Sequence, residues 1–185
     1  MKKLTEKLNN DKRNYPILAW YENADQSQIL IISKPGQYKT ISTFPSNLSK
    51  LYLDLKEMLQ VQDLLESATK GDDSIHSFTI NEFPESKPNW DNLKTDIKAE
   101  LEKSIEIKDL QKQVLDEILN NHKYDLAASA LKCIYSSILY NMITKSLDLG
   151  ITEMLIIGDL TYEEGLSSVI ENNLPQHMTM SFLQL

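Results

Sequence analysis

Cysteine and arginine are almost missing from this 185-residue sequence, which has one of each. The single cysteine, Cys133, excludes an internal disulfide and a zinc site built from several cysteines, and its apolar neighbours predict that it is buried. Arg13 is the only residue with a planar guanidinium group, which can form paired hydrogen bonds to phosphates and to guanine edges. The two scarcities argue against a disulfide scaffold and against a protein built to bind phosphate groups.

Long uninterrupted apolar runs are missing as well. The basic first 13 residues are not followed by the apolar run of a signal peptide. The most apolar helical stretch, Leu126 to Leu149, contains Lys132, Asn141 and Lys145, which interrupt it as a membrane span. We therefore expect a soluble protein of the cytoplasm with no segment inserted in a membrane.

The overall composition is that of an ordinary globular protein, with 41% hydrophobic and 25% charged residues. A chain of this size buries roughly 70% of its unfolded surface and needs no disulfide or metal to fold. Residues 1–14 are typical of a short amphipathic helix or arm that ends in a polar break, and no later linker is long enough to divide the chain. The expected organisation is an N-terminal arm followed by a single mixed α/β domain over residues 15–185.

Negative charge dominates, with a formal net charge of −8 and a pI near 4.9. This balance opposes binding to nucleic acid or anionic lipid, because both depend on neutralising phosphates with Lys and Arg. Residues 146–185 include no Lys or Arg, whereas six are acidic: Asp148, Glu153, Asp159, Glu163, Glu164 and Glu171. This stretch is either a solvated face or a docking surface for a basic protein partner, with Glu163, Glu164 and Glu171 as candidate binding residues.

Three segments near the N-terminus predict strands, because each is rich in β-branched or aromatic residues and is bounded by turn residues. They cover residues 16–21, 28–33 and 38–43. Between the second and the third, Pro35 and Gly36 occupy the positions that a type II turn requires. We expect an antiparallel meander whose middle strand, apolar without alternation over residues 29–32, is an interior strand of the sheet.

Helical periodicity dominates the middle of the chain. One helix is predicted from residue 48 to residue 65, and surface helices are predicted near residues 93–105 and 110–118. The segment 125–149 is apolar almost all round, which predicts a buried central helix. Gly150 follows it in the position of a left-handed helix cap.

Further strands are interspersed with these helices. Residues 75–83 and 153–157 are predicted as strands, the second of them buried. Residues 177–183 alternate apolar and polar side chains, which predicts an edge strand with one solvent-exposed face. A capping box predicts a helix over residues 162–172 between the last two strands. The fold class is therefore mixed α/β.

The predicted order of elements, a three-strand meander followed by helix, strand, helices, strand and helix, resembles that of ribonuclease H-like and actin-like domains. In nucleases of this kind, carboxylates from strand ends hold magnesium against a phosphodiester. The resemblance makes Glu22, Glu82 and Asp159 the catalytic candidates of this chain. The first strand, however, lacks the central aspartate of the pattern and has Glu22 at its very end. This departure favours a relative without catalytic activity.

No other group of residues predicts a reaction or a cofactor. His76, His122 and His177 are far apart in the sequence, and no serine or cysteine lies in a nucleophile context. We expect no metal site and no cofactor, and surface or strand-end positions for the histidines. Trp90, in a proline-flanked loop, is expected to be exposed and is a further candidate for partner binding.

Two functions follow from these observations. The first is a non-enzymatic interaction protein, such as an adaptor, an immunity-type inhibitor, a secretion accessory or an assembly component, which presents an acidic C-terminal face and an edge strand. The alternative is a metal-dependent enzyme of phosphoryl-transfer or nuclease type that uses Glu22, Glu82 and Asp159. The missing aspartate favours the first.

Overall fold

The computed structural model describes residues 6, 13–22, 26–44, 48–78, 90–104, 112–158, 167, 170 and 173–184, and every structural statement below concerns those residues. The chain divides into two compact units. The sheet unit comprises Met1–Ser49 and Ile138–Leu185, and the helical unit comprises Lys50–Ser137. Of the predicted arm over residues 1–14, only residues 6, 13 and 14 are described, so its boundary with a domain stays a prediction.

The sheet unit contains five strands. They are β1 (Ile17–Glu22), β2 (Ser27–Lys34), β3 (Gln37–Phe44), β4 (Glu153–Gly158) and β5 (Thr179–Gln184). One mixed sheet includes all of them, in the order β3-β2-β1-β4-β5. β2 runs antiparallel to β1 and β3, whereas β1, β4 and β5 are parallel to one another. Together with the helices, this sheet confirms the mixed α/β class.

β1, β2 and β3 form the predicted antiparallel meander. Gly36 has a φ of 71° in the turn between β2 and β3, where Lys34 pairs with Gln37. A residue without a Cβ adopts such a backbone at no steric cost, which explains why the turn could be located from sequence. β2 has a neighbour on each side, so its interior position is also confirmed.

β1 is the central strand, and all six of its residues are buried. Successive side chains of a strand point to opposite faces, so the strand contributes to two apolar layers. On one face lies a buried cluster that consists of Ile17, Ala19, Tyr21, Leu30, Ile32, Leu155 and Ile157. On the other face the Trp20 ring stacks on Phe44, with ring centroids 5.2 Å apart. Burial on both faces explains why β1 tolerates no charged residue before its last position.

The described residues include four helices, of which α1 is shorter and α4 longer than the sequence predicts. They are α1 (Leu48–Leu59), α2 (Leu64–Ala68), α3 (Trp90–Ser104) and α4 (Lys112–Leu149). α2 and α3 belong to the helical unit, which also contains α1 from residue 50 and α4 up to residue 137. The remainder of α4, from residue 138, belongs to the sheet unit.

Within the helical unit, polar contacts connect α1 to the other two long helices. Tyr52 of α1 donates a hydrogen bond of 3.0 Å to the hydroxyl of Tyr135 in α4. Burial raises the pKa of Tyr135 to about 12, so its phenol stays neutral. Lys94 of α3 lies 3.1 Å from an Asp54 carboxylate oxygen of α1. These polar contacts form in only one arrangement of the three helices. They therefore define that arrangement more narrowly than apolar packing alone does.

The predicted helix over residues 48–65 is wrong in length, because α1 ends at Leu59. Gln60 has a φ of 54°, and the amides of Gln60 and Val61 donate to the carbonyls of Glu57 and Lys56. This pattern is a Schellman cap, which usually places glycine at the left-handed position. Glutamine occupies that position here, so the sequence contains no signal for the end of the helix.

α4 joins the predicted helical stretch near residues 110–118 to the predicted central helix over residues 125–149. Its apolar side chains are largely buried, and Ile134 is completely so. Cys133 is buried as well, as predicted. By length and composition the segment Asp116–Leu149 could cross a membrane, but 72% of its most apolar window is buried inside the protein. Such burial is typical of a core helix, and it supports the predicted role of this segment.

α4 ends as the sequence predicts. Gly150 has a φ of 65°, and the amides of Gly150 and Ile151 donate to the carbonyls of Leu147 and Ser146. The Ser146 hydroxyl donates back to the carbonyl of Ile151, whose side chain is buried. The cap turns the chain directly from α4 into β4.

Three other predictions need correction or fall outside the described residues. Residues 75–78 are not part of a strand, so the predicted strand over 75–83 is wrong in its described half. α3 is not only a surface helix, because it buries Leu93 and Ile97. The helix predicted over residues 162–172 lies mostly outside the described residues. β5 is an edge strand of the described sheet, as predicted.

Candidate functional site

Two neighbouring parallel strands, β1 and β4, end side by side in the sheet unit. Tyr21 pairs with Ile157, so Glu22 and Gly158 lie at the same end of the sheet. The chain leaves β1 towards β2 on one side and leaves β4 towards β5 on the other. Open α/β sheets bind their ligands at such a switch point, outside the carboxyl ends of the strands. Glu22 and Gly158 therefore define the candidate site of this unit.

Glu22 is a buried carboxylate with hydrogen-bond donors from its own hairpin. Its side chain is 6% exposed. The Trp20 indole donates to Oε1 over 3.1 Å, and the Ser27 hydroxyl donates to the same oxygen over 3.4 Å. A buried charge is tolerated only where such partners compensate for lost water. Glu22 thus connects β1 to the start of β2, which gives this residue a structural role.

Gly158 lets β4 approach Glu22 closely. A Cβ at this position would lie 3.1 Å from the Cβ of Glu22, which is closer than ordinary van der Waals contact. The missing side chain at Gly158, at the end of β4, therefore leaves room for the buried side chain of Glu22 at the end of β1.

The other carboxylates named from sequence are not placed. Glu82 and Asp159, the two remaining catalytic candidates, lie outside the described residues. Glu163, Glu164 and Glu171, the acidic partner-binding candidates, lie outside them as well. Among the described residues, no group of three or more His, Cys, Asp or Glu side chains is arranged to hold a metal ion. Of the three catalytic candidates, the structure thus describes Glu22 alone.

The predicted exposure of Trp90 is wrong. Its side chain is 4% exposed at the first position of α3. Leu93 and Ile97 follow on the same face of the helix and are also buried, so the indole belongs to one apolar stripe with them. Trp90 is a core residue in this structure, and it offers no surface to a partner.

Two of the three histidines are neighbours in the structure, which the sequence analysis did not predict. His76 and His122, which are 46 positions apart, have ring centroids 5.1 Å apart in an edge-to-face arrangement. His76 Nδ1 also lies 3.9 Å from a carboxylate oxygen of Glu100. All three residues belong to the helical unit. Only a tertiary contact between an irregular segment and α4 brings them together, and no sequence spacing encodes it.

We expect replacement of Glu22 by Leu to reduce the free energy of unfolding by about 1–3 kcal/mol, because two buried donors lose their acceptor. Glu22→Gln retains a carbonyl oxygen at the same distance from the backbone and should cost less. Urea denaturation of both variants measures the difference. Equal stabilities of the parent and the leucine variant would show that the carboxylate does not stabilise the hairpin.

Comparison with known proteins adds no family. No protein-family model matches the chain, and no curated protein matches it significantly. The function is therefore argued from the geometry and chemistry of the described residues.

Proposed function

We propose that this chain is a non-enzymatic interaction protein that binds a basic protein partner through its acidic C-terminal segment and the edge strand β5. An adaptor, an immunity-type inhibitor, a secretion accessory and an assembly component all fit this description, and the cytoplasm is the proposed location. The single observation that carries the proposal is the contrast between the two edges of the sheet.

The two edge strands differ in their protection against another strand. β3 contains Lys39, and its register with β2 shifts at two places. Charged side chains and bulges are devices by which proteins block pairing at an edge. β5 contains no charged residue and no proline, and its register with β4 continues without a shift. Of the two edges, β5 is the one suited to accept an extended segment of a partner.

The charge around β5 favours a basic segment. β5 lies in the stretch of residues 146–185, which contains no Lys or Arg. Glu153 of β4 is the register partner of Thr179, and the Thr179 hydroxyl donates to its carboxylate over 2.6 Å. Asp148 lies nearby in the sequence at the end of α4, where Leu147 and Leu149 are exposed. Acidic residues with interspersed exposed apolar side chains are typical of an interaction surface.

The proposed fold relationship is to ribonuclease H-like domains. The strand order β3-β2-β1-β4-β5 with β2 antiparallel to the others supports it, as does the position of the meander before the helices. The relationship would make this protein a member without the catalytic carboxylate of the central strand, since Ala19 and Trp20 occupy the middle of β1.

One observation favours the alternative, a metal-dependent enzyme of phosphoryl-transfer or nuclease type. Glu22 and Gly158 end their strands side by side, and Asp159 is the next residue in the sequence. Two carboxylates from the ends of neighbouring strands are a common basis for binding magnesium. A magnesium-dependent rise in melting temperature that Glu22→Gln abolishes would support this alternative, because a ligand of the folded state stabilises it by mass action.

The interaction proposal is tested by charge reversal. The partner is first recovered by affinity capture from the source cells, and association kinetics are then measured with both proteins purified. Glu163→Lys with Glu164→Lys changes the net charge from −8 to −4, two units for each residue. We expect the on-rate to fall and the off-rate to change little, because steering acts before contact. The on-rate of the parent should also fall steeply as the Debye length shrinks from about 30 to about 8 Å with rising salt.

A matched control separates local charge from net charge. Asp96→Lys with Glu102→Lys makes the same change of net charge on exposed positions of α3, in the helical unit. We expect this control to slow association far less. An on-rate that is indifferent to salt, or that both double variants reduce equally, would contradict docking at the C-terminal segment.

A further inference from the structure

An irregular segment of the helical unit, residues 71–78, lies against α4. The backbone amide of Asp72 donates to a carboxylate oxygen of Asp125 over 2.7 Å, and Lys132 Nζ lies 3.1 Å from a carboxylate oxygen of Asp73. Gly71 makes this approach possible, because a Cβ there would overlap the backbone carbonyl of Tyr124. We call residues 71–78 the docked segment. The docked segment contains no helix or strand and most of its residues are exposed, so it belongs to the parts of a protein that open most easily.

His76 is the residue of the docked segment that lies between α3 and α4. Its ring contacts His122 of α4 edge to face, with centroids 5.1 Å apart, and stacks on Phe78 with centroids 6.0 Å apart. On the α3 side, Nδ1 lies 3.9 Å from Glu100 Oε2. His122 Nε2 lies 3.3 Å from the backbone oxygen of Glu100, to which it donates when it holds a proton. The two imidazoles therefore occupy one junction of three segments.

The charges around His76 do not favour an additional proton. α3 contributes Glu100 and Lys103, and α4 contributes His122 and Asp125. Glu100 is the nearest anion, but its other oxygen lies 2.6 Å from the Lys103 ammonium, which neutralises much of its charge. His76 Nε2 is buried, and it has no hydrogen-bond partner among the described residues. A proton placed there would add a buried donor without an acceptor, which is costly.

We propose that His76, packed against His122, is a proton-operated latch, in which its protonation in mildly acidic conditions releases the docked segment from α3 and α4. In the closed state the His76 ring is neutral and packs against the His122 ring. In the released state water solvates the His76 ring, so it can take a proton without becoming a buried donor that lacks an acceptor. Histidine is the side chain whose charge changes between about pH 5 and 8, which sets the range over which the latch acts.

The direction of the pH dependence follows from linkage. Burial, followed by the proximity of His122, lowers the pKa of His76 below its ordinary value of 6.5. A released or unfolded segment therefore binds a proton at a higher pH than the closed one does. The closed state has its full stability above the ordinary pKa and loses stability as the pH falls from there towards the lowered pKa. The loss in the closing equilibrium is about tenfold for each unit by which the two pKa values differ.

Hydrogen exchange of the full chain tests the latch. The amides of Asp72 and Ile75 are hydrogen-bonded in the docked segment, and their protection factors report its opening. We expect these factors to fall between pH 7.5 and pH 5, while amides in β1 keep theirs. Hydrogen bonds from Ser74 lower the pKa of Asp72, and the Lys103 ammonium lowers that of Glu100. Both carboxylates therefore stay ionised over this range.

Two variants assign the effect to His76. His76→Phe retains an aromatic ring that takes no proton, and the fall in protection should disappear. His76→Gln removes the same imidazole if His76→Phe does not fold. His177→Gln changes an exposed histidine of the sheet unit and should leave the fall intact. Protection factors that do not change with pH in the parent, or that fall as much in a His76 variant as in the parent, would overturn the proposal.

Discussion

Replacement of Ile134 by Asp should leave no soluble folded protein. Ile134 is completely buried in α4, the longest helix of the described residues. On the same face of α4 its neighbours are Ala130, Leu131, Ser137 and Ile138, none of which is basic, and the lost hydration of an isolated carboxylate costs several kcal/mol. A cost of about 4–5 kcal/mol approaches the total stability of many domains, which is about 5–15 kcal/mol. Soluble yield and far-ultraviolet circular dichroism measure the result.

Ser136→Asp is the matched control for this experiment. Ser136 lies two positions further along α4 and is exposed, so the same new charge reaches water. The control should fold with a melting temperature close to that of the parent. Normal yield and an unchanged melting temperature of Ile134→Asp would show that this face of α4 is not in the core.

The second large effect is expected at Gly71, where replacement by Ala should destabilise the helical unit. The added Cβ would overlap the carbonyl of Tyr124 and lie 2.6 Å from the amide nitrogen of Asp125. These atoms are backbone atoms of α4, so no side-chain rotation relieves the overlap. Overpacking of this kind costs about 1–3 kcal/mol, and more where the backbone cannot move. Urea denaturation gives the free energy of unfolding, and hydrogen exchange shows whether the docked segment is released.

Gly150→Ala distinguishes crowding from backbone strain. A Cβ at Gly150 meets no atom within 4 Å, so the only cost is the left-handed backbone with its φ of 65°. That cost is about 1–2 kcal/mol. We expect Gly71→Ala to be the more destabilising of the two and to remove the protection of the docked segment. A smaller effect at Gly71 than at Gly150 would contradict the close approach to α4.

Local signals account for the parts of the fold that the sequence predicts well. Pro35 and Gly36 define a turn by their own backbone preferences, and Gly150 with Ile151 defines a helix cap. Buried strands such as β4 are recognisable because burial on both faces leaves an apolar run. Each of these features depends on residues that are neighbours in the sequence, so no tertiary information is needed to find them.

The predictions that failed depend on contacts between distant residues. Residues 75–78 alternate like a strand, but His76 and Phe78 pack in the docked segment. A proline-containing stretch precedes Trp90 in the sequence, yet Trp90 begins a helix and is buried. Gln60 ends α1 without glycine. In each case a favourable tertiary arrangement outweighs a weak local preference. Contacts between residues that are distant in the chain cannot be detected from a single sequence.

The candidate site was predictable in the same limited sense. The position of Glu22 at the end of a strand could be predicted, because the strand itself has a strong local pattern. Its burial and its donors, Trp20 and Ser27, could not, since they depend on how the hairpin folds over the carboxylate. Of the proposed docking surface, the sequence supplies the acidic segment, and the structure shows β5 as an edge strand of the described sheet.

The most direct test of the proposed function is hydrogen exchange of the chain with and without its purified partner. The account predicts that binding slows exchange at the backbone amides of β5, residues 179–184, because a partner strand occupies the outer edge. Residues at the edge strand β3 should exchange at the same rate in both states. Protection confined to the helical unit, with β5 unchanged, would contradict docking at the acidic C-terminal segment.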